Sequence, residues 1–196
     1  MEIRYALLAG LITMAALTGP TRAADDLLLD DFTHGDGRSS FGTRWNGFTD
    51  RVMGGRSDMQ AGVIETDDGP ALRMRGSVRL ENNGGFIQAR LPLAADGEAL
   101  DASGFDGVRL QVRGAPGPYF VHVRTPDCRR PWQYYRAELP VTQEWREVFV
   151  PFSDFTGESI RGKPDFGNLR SIALAAFGEA FEAELEVRRL ALTQRD

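Results

Sequence analysis

A single cysteine, Cys128, stands among 196 residues, so no internal disulfide can form even in an oxidising compartment. Arg129 and Arg130 beside it would favour a thiolate, but a lone cysteine in a loop is first of all a small, half-buried side chain. Only two histidines, His34 and His122, offer imidazoles. With one cysteine they cannot supply the clustered ligands of a zinc site. His122 lies in an alternating run, where it reads as a structural residue. The G-x-S-x-G elbow, the P-loop and H-E-x-x-H are all missing, and Gly35-Asp36-Gly37 opens no helix, which removes a dinucleotide site. No metal, haem, flavin or nicotinamide cofactor is expected. Lysine is nearly absent too: Lys163 is the exception among 23 basic residues. The formal charge is −5 and no basic block occurs, which argues against nucleic acid and anionic lipid as partners.

Long apolar runs are confined to the amino terminus. Arg4, the stretch Tyr5 to Leu17, and Thr21-Arg22-Ala23 before Ala24 have the layout of a cleaved secretory signal. The run falls short of the roughly 20 residues a spanning helix needs. A mitochondrial presequence would be richer in Arg and Ser, and here no serine precedes Ser39. The expected protein is therefore exported, periplasmic or secreted, with residues 1–23 removed and one domain over 24–196. Loss of Arg4, Arg22 and Glu2 moves the charge from −5 to −6.

What the chain does contain is alternation with a period of two. Leu72 and Met74 alternate with Arg73 and Arg75. Val108, Leu110 and Val112 alternate with Arg109, Gln111 and Arg113. The pattern recurs at Tyr119 to Arg124, Glu147 to Val150, Ile172 to Ala176 and Glu184 to Arg188. Each run reads as a strand with one wet face. Glycine and proline fall between them at Gly69-Pro70, Gly114 to Pro118, Pro126, Pro131, Pro140 and Gly162 to Pro164. Short strands without βαβ rhythm predict an all-β sandwich or barrel. Ser153 to Asn168 is the longest expected loop, and Trp45 and Trp145 are expected in the core.

Carboxylate pairs at Asp25-Asp26, Asp30-Asp31 and Asp67-Asp68 could hold Ca²⁺ through oxygen, but EF-hand spacing is absent and solvated acidic turns explain them. A glycosidase pair drawn from distant strands would need an open cleft holding two acids. Trp132-Gln133-Tyr134-Tyr135 offers rings for a sugar or a protein, with Trp132, Tyr134 and Tyr135 as the alternative ligand face.

Two stretches each place a Gly-Gly pair among polar residues: "DRVMGGRS", Asp50 to Ser57, and "LENNGGF", Leu80 to Phe86. Glycine permits positive φ or the close approach of another backbone. In the architectural reading the pairs are a bulge and a hairpin turn. In the functional reading Val52 and Met53 are an adaptable apolar contact with Arg51, Arg56 and Asp58 as a polar rim.

These blocks, with "LDDF" at Leu29 to Phe32, "FDGVRLQVRG" at Phe105 to Gly114 and "WREVFVPFSDF" at Trp145 to Phe155, resemble the family named for the mitochondrial complex I intermediate-associated protein. They run in the family's order across nearly the whole chain after the leader. The resemblance implies a galactose-binding-like jelly-roll β-sandwich that assists assembly of a respiratory complex as a chaperone or scaffold, without turnover, and a protein client as partner. A carbohydrate-binding module, with a glycan as ligand, is the alternative function. The mitochondrial member works on the matrix side, the counterpart of the bacterial cytoplasm, whereas this leader implies export. A kept fold with a changed client reconciles the two. The expected contact set is Asp50, Arg51, Val52, Met53, Gly54, Gly55, Arg56, Ser57, Asn82, Asn83, Gly84 and Gly85. Within it, the two glycine pairs are expected to meet, with Asp50 and Asn82 or Asn83 satisfying the backbone groups so exposed.

Overall fold

The computed structural model describes residues 26–195. The expected leader and its cleavage site lie outside the described residues. Two six-stranded antiparallel sheets face each other, and no α-helix occurs among the described residues. The fold class read from alternation is therefore the one observed.

Six strands build the first sheet: β1 (Leu27–Asp30), β3 (Gln60–Thr66), β4 (Gly69–Val78), β6 (Gly107–Gly114), β9 (Arg146–Pro151) and β12 (Phe181–Thr193). Their order is β3-β4-β12-β6-β9, with β1 also paired to β12. The long β12 lies along β6 while its other edge is shared: its first half pairs with β4 and its last residues with β1. The second sheet has the order β10-β8-β7-β11-β5-β2, from β2 (Asn46–Thr49), β5 (Phe86–Pro92), β7 (Tyr119–Arg124), β8 (Tyr134–Glu138), β10 (Thr156–Glu158) and β11 (Ser171–Phe177).

The apolar alternates named from sequence fill the space between the sheets: Val108, Leu110 and Val112 of β6 and Val121 and Val123 of β7 are all fully buried, joined by Ile87 and Leu91 of β5. Each such side chain contributes roughly 1.5–3 kcal/mol on burial. Cys128 also joins this core, and so is an inert packing residue rather than an exposed thiol.

Three expectations need correction. The 153–168 stretch is not a plain loop, because β10 pairs with β8 through Thr156–Arg136, Gly157–Tyr135 and Glu158–Tyr134. Three residues are too few for alternation to register. Trp145 lies outside the core; its ring is held between the guanidinium groups of Arg113 and Arg188, at 4.7 and 5.0 Å, on the wet face of the first sheet. Tyr135, expected on a ligand face, is 1% exposed and packs inside the sandwich, because adjacent strand residues point to opposite faces and Tyr134 takes the outer one. Trp45 does pack against the core, and its Nε1 donates to Asp30 Oδ2 at 2.8 Å.

Candidate functional site

The two glycine pairs meet around one carboxylate. Asp50 opens a 3-10 turn, Asp50–Met53, directly after β2, and its side chain is completely buried. Oδ1 accepts the Ser57 N–H at 2.9 Å. Oδ2 accepts the Ser57 hydroxyl and the Gly85 N–H, the latter at 2.7 Å, with a longer approach of the Phe86 N–H at 3.4 Å. Ser57 Oγ in turn accepts the Arg79 N–H at 2.9 Å. Burial by itself raises the Asp50 pKa; the Ser57 hydroxyl and the Gly85, Ser57 and Phe86 N–H groups outweigh it and hold the carboxyl below its ordinary value.

Each glycine of the clasp has a distinct reason. A Cβ on Gly55 would lie 2.3 Å from Asp50 Cγ, and one on Gly84 would lie 2.5 Å from Asp50 Oδ2, so these two make room for the carboxylate. Gly54 and Gly85 adopt φ of +90° and +127°, left-handed backbone that side chains resist. Asn82 and Asn83 are both at φ 58°, and Asn82 Nδ2 donates to the Gly54 carbonyl at 3.1 Å, closing one loop onto the other. Of the two asparagines offered from sequence, Asn82 makes the bond to the other loop.

The clasp holds Val52 and Met53 out in solvent, 74% and 58% exposed. They do not stand alone. A groove of about 980 Å³ crosses the outer face of the second sheet, with Val52, Met53, Asn83 and Gly84 at the β2 side and Trp132 and Tyr134 at the β8 side. The two surfaces weighed as alternatives in the sequence are thus parts of one groove. Its size lies at the upper end for small-ligand sites. Arg51 and Arg56 fall outside it, around a smaller concavity shared with Gly55, Asp58 and Arg79.

The middle strand explains why there is a groove. Outward positions of β11 carry Ser171, Ala173 and Ala175, while neighbouring strands present larger groups such as Gln88, Arg90, His122 and Arg124 at the same level. Small side chains at the centre leave a trough between taller rows. Arg124 shapes one wall: it donates to the carbonyls of Cys128, Arg130 and Pro131 at 2.9, 3.0 and 3.1 Å, bracing the loop that presents Trp132. Trp132 is 53% exposed, with Arg130 over its ring at 5.5 Å.

His122 forms part of the floor beneath Tyr134, the rings stacked at 4.3 Å. Desolvation, with Arg136 nearby, drops its pKa to about 3, so it is neutral at any ordinary pH and agrees with the structural role expected. Glu158 is the one carboxylate among the groove's lining residues, and it pairs with Arg136 at 3.6 Å. The two-acid cleft required for glycoside hydrolysis is not formed there.

Among the described residues one group has metal-ligand proximity: Asp30, Asp31 and His34, with ligand atoms within 4.8 Å of one another. Both oxygens of buried Asp30 are already engaged, by the Phe32 N–H at 2.8 Å and by Trp45 Nε1. That makes it an anchor for the β1 end and for the Phe32 turn, where φ is +63°.

Two facing six-stranded sheets with a groove across one of them define the class: a jelly-roll β-sandwich domain. The profile of complex I intermediate-associated protein 30 matches residues 31–174, and the chain belongs to that family. No curated protein matches the sequence. Among solved structures, the family 11 carbohydrate-binding module of the cellulosomal cellulase Lic26A-Cel5E of Clostridium thermocellum superposes with a TM-score of 0.68 at 15% identity, covering 88% of this chain and 96% of the module. The family 30 module of cellulase Cel9D-Cel44B from the same organism gives 0.57 at 14%, covering 78% and 92%. At such identities the likeness is one of fold. No helix among the described residues is long and apolar enough to cross a membrane.

Proposed function

We propose that this chain is a non-catalytic binding domain that holds a segment of a protein client, in the manner of an assembly factor for a membrane respiratory complex, and that it works after export. Family membership supports the assembly role. The observation that carries the site is the placement of Val52 and Met53: a buried carboxylate and four glycines hold two apolar side chains in solvent at the edge of a groove. A branched aliphatic and a flexible thioether suit a protein surface that varies in shape. The Val52→Ser/Met53→Ser double variant is the test. It should keep its stability and lose the client in a pull-down from periplasmic and membrane extracts. A variant that folds and still captures the same client would remove the groove edge from the function.

Carbohydrate binding is the second reading, favoured by the sandwich architecture of the structural neighbours and by exposed Trp132 within the same groove. Titration with a mixed-linked β-1,3-1,4 tetrasaccharide, the ligand present in one structure of the family 11 module, would show quenching of tryptophan fluorescence if this reading holds. Export rests on the leader and is checked by the amino terminus of the isolated protein, expected at Ala24 or Asp25.

A further inference from the structure

The charge in the groove runs against that of the whole chain. The protein carries a net −5, yet the cationic residues lining this groove are Arg90, Arg124 and Arg129, against Glu158, which is already paired with Arg136. Arg124 is committed to three carbonyls of the 125–133 loop. Arg90 is different. It rises from β5 in register with Ala173 of β11, the small residue at the bottom of the trough, and is half-buried. Its guanidinium lies 4.5 Å over the Phe48 ring and makes no hydrogen bond or ion pair with any described residue. A planar, five-donor group in that position is suited to a bidentate bond with a carboxylate. Desolvation, and then repulsion from Arg124, lower its pKa, so an anion placed there would relieve both costs.

We infer that the groove takes a client segment bearing an Asp or Glu side chain, which pairs with Arg90 while flanking apolar residues rest on Val52, Met53 and Trp132. The inference rests on the client-segment reading given above. A protein segment fits better than an acidic polysaccharide because the exposed apolar groups at the β2 side, Val52 and Met53, are non-aromatic and the Phe48 ring lies under Arg90, whereas sugar rings want free aromatic faces. Here one face of the Tyr134 ring is stacked on His122, and Arg130 lies over the Trp132 ring.

The test uses a displayed library of random peptides selected on the folded chain, on Arg90→Gln and on the Val52→Ser/Met53→Ser variant. The native chain should enrich Asp or Glu at a fixed spacing from apolar residues, and the enrichment of acids should vanish with Arg90→Gln. A synthetic peptide from the selection, titrated beside its Glu→Gln or Asp→Asn form, should bind about tenfold more tightly or better, with the advantage lost on Arg90→Gln and reduced by salt. The exchange made in the peptide leaves the protein untouched, so it decides the matter even if Arg90→Gln folds poorly. Selected peptides without acidic preference would overturn the Arg90 pairing and leave the client groove standing. Failure to select any peptide would overturn both, and binding of oligogalacturonate in that case would identify an acidic sugar as the occupant.

Discussion

Asp50 is the residue on which the site's geometry depends. Removing its side chain leaves the Ser57, Gly85 and Phe86 N–H groups without their acceptor in a dry position, and the Ser57 hydroxyl with only its longer bond to the Arg79 carbonyl at 3.3 Å. Asp50→Ala is therefore expected to destabilise the domain by about 3 kcal/mol or more in urea denaturation, since each orphaned donor costs about 1–3 kcal/mol and the terms overlap. Asp50 also sets an acid limit. Its folded pKa lies below the unfolded value, so its stabilisation is complete above about pH 4 and is lost as pH falls through the folded value. Asp50→Asn should flatten that part of the pH profile; an unchanged profile would show that other carboxylates govern it. Gly55→Val is expected to prevent folding, because Cβ alone would sit 2.3 Å from Asp50 Cγ. Ser substitutions at exposed Val52 and Met53 should shift stability by no more than about 0.5 kcal/mol, and circular dichroism melts of both variants separate scaffold from contact.

The element that creates the groove is β11, through Ser171, Ala173 and Ala175 on its outer face. Ala173→Leu should fill the trough and weaken groove binding while leaving the inner face of the strand intact. Peptide titration with parallel thermal melts would check this, and undiminished binding would place the ligand elsewhere. Strands of this kind were legible in the sequence because the alternation is a direct record of which face is wet: β4, β6, β7, β9, β11 and β12 all lie where the period of two places them. β1, β2, β3, β5 and β8 are not among the runs read from alternation; β10 escaped as well because three residues carry no period, and its strand character comes from pairing with β8. The small outer residues of β11 were visible as letters. Their meaning as a trough needed the heights of β5 and β7 on either side.

At the scale of the whole molecule, two loops distant in sequence, 50–57 and 80–86, close on each other and so bring an apolar edge to the same groove as Trp132 and Tyr134. The charge of that groove is insensitive to pH over the usual range. His122 stays neutral above about pH 3, and arginines remain protonated, so binding of a ligand that does not itself titrate should be constant between about pH 5 and 8. A fall in affinity on acidification, measured by fluorescence titration, would instead report protonation of the ligand's own carboxylate.

The sequence by itself determined the sandwich, the core faces of its alternating strands, the lack of an internal disulfide, and the two glycine motifs. These follow from local rules: which residues alternate, which backbone angles only glycine accepts, and which ligand types are present at all. The structure shows Asp50 joining the two motifs as the sequence leads one to expect, and it alone decided that Tyr135 turns inward while Tyr134 faces out, and that Arg90 stands beside the trough without an acidic partner among the described residues. Strand order and register set those relations, and a period of two reports the face of a residue without naming its neighbours across the sheet.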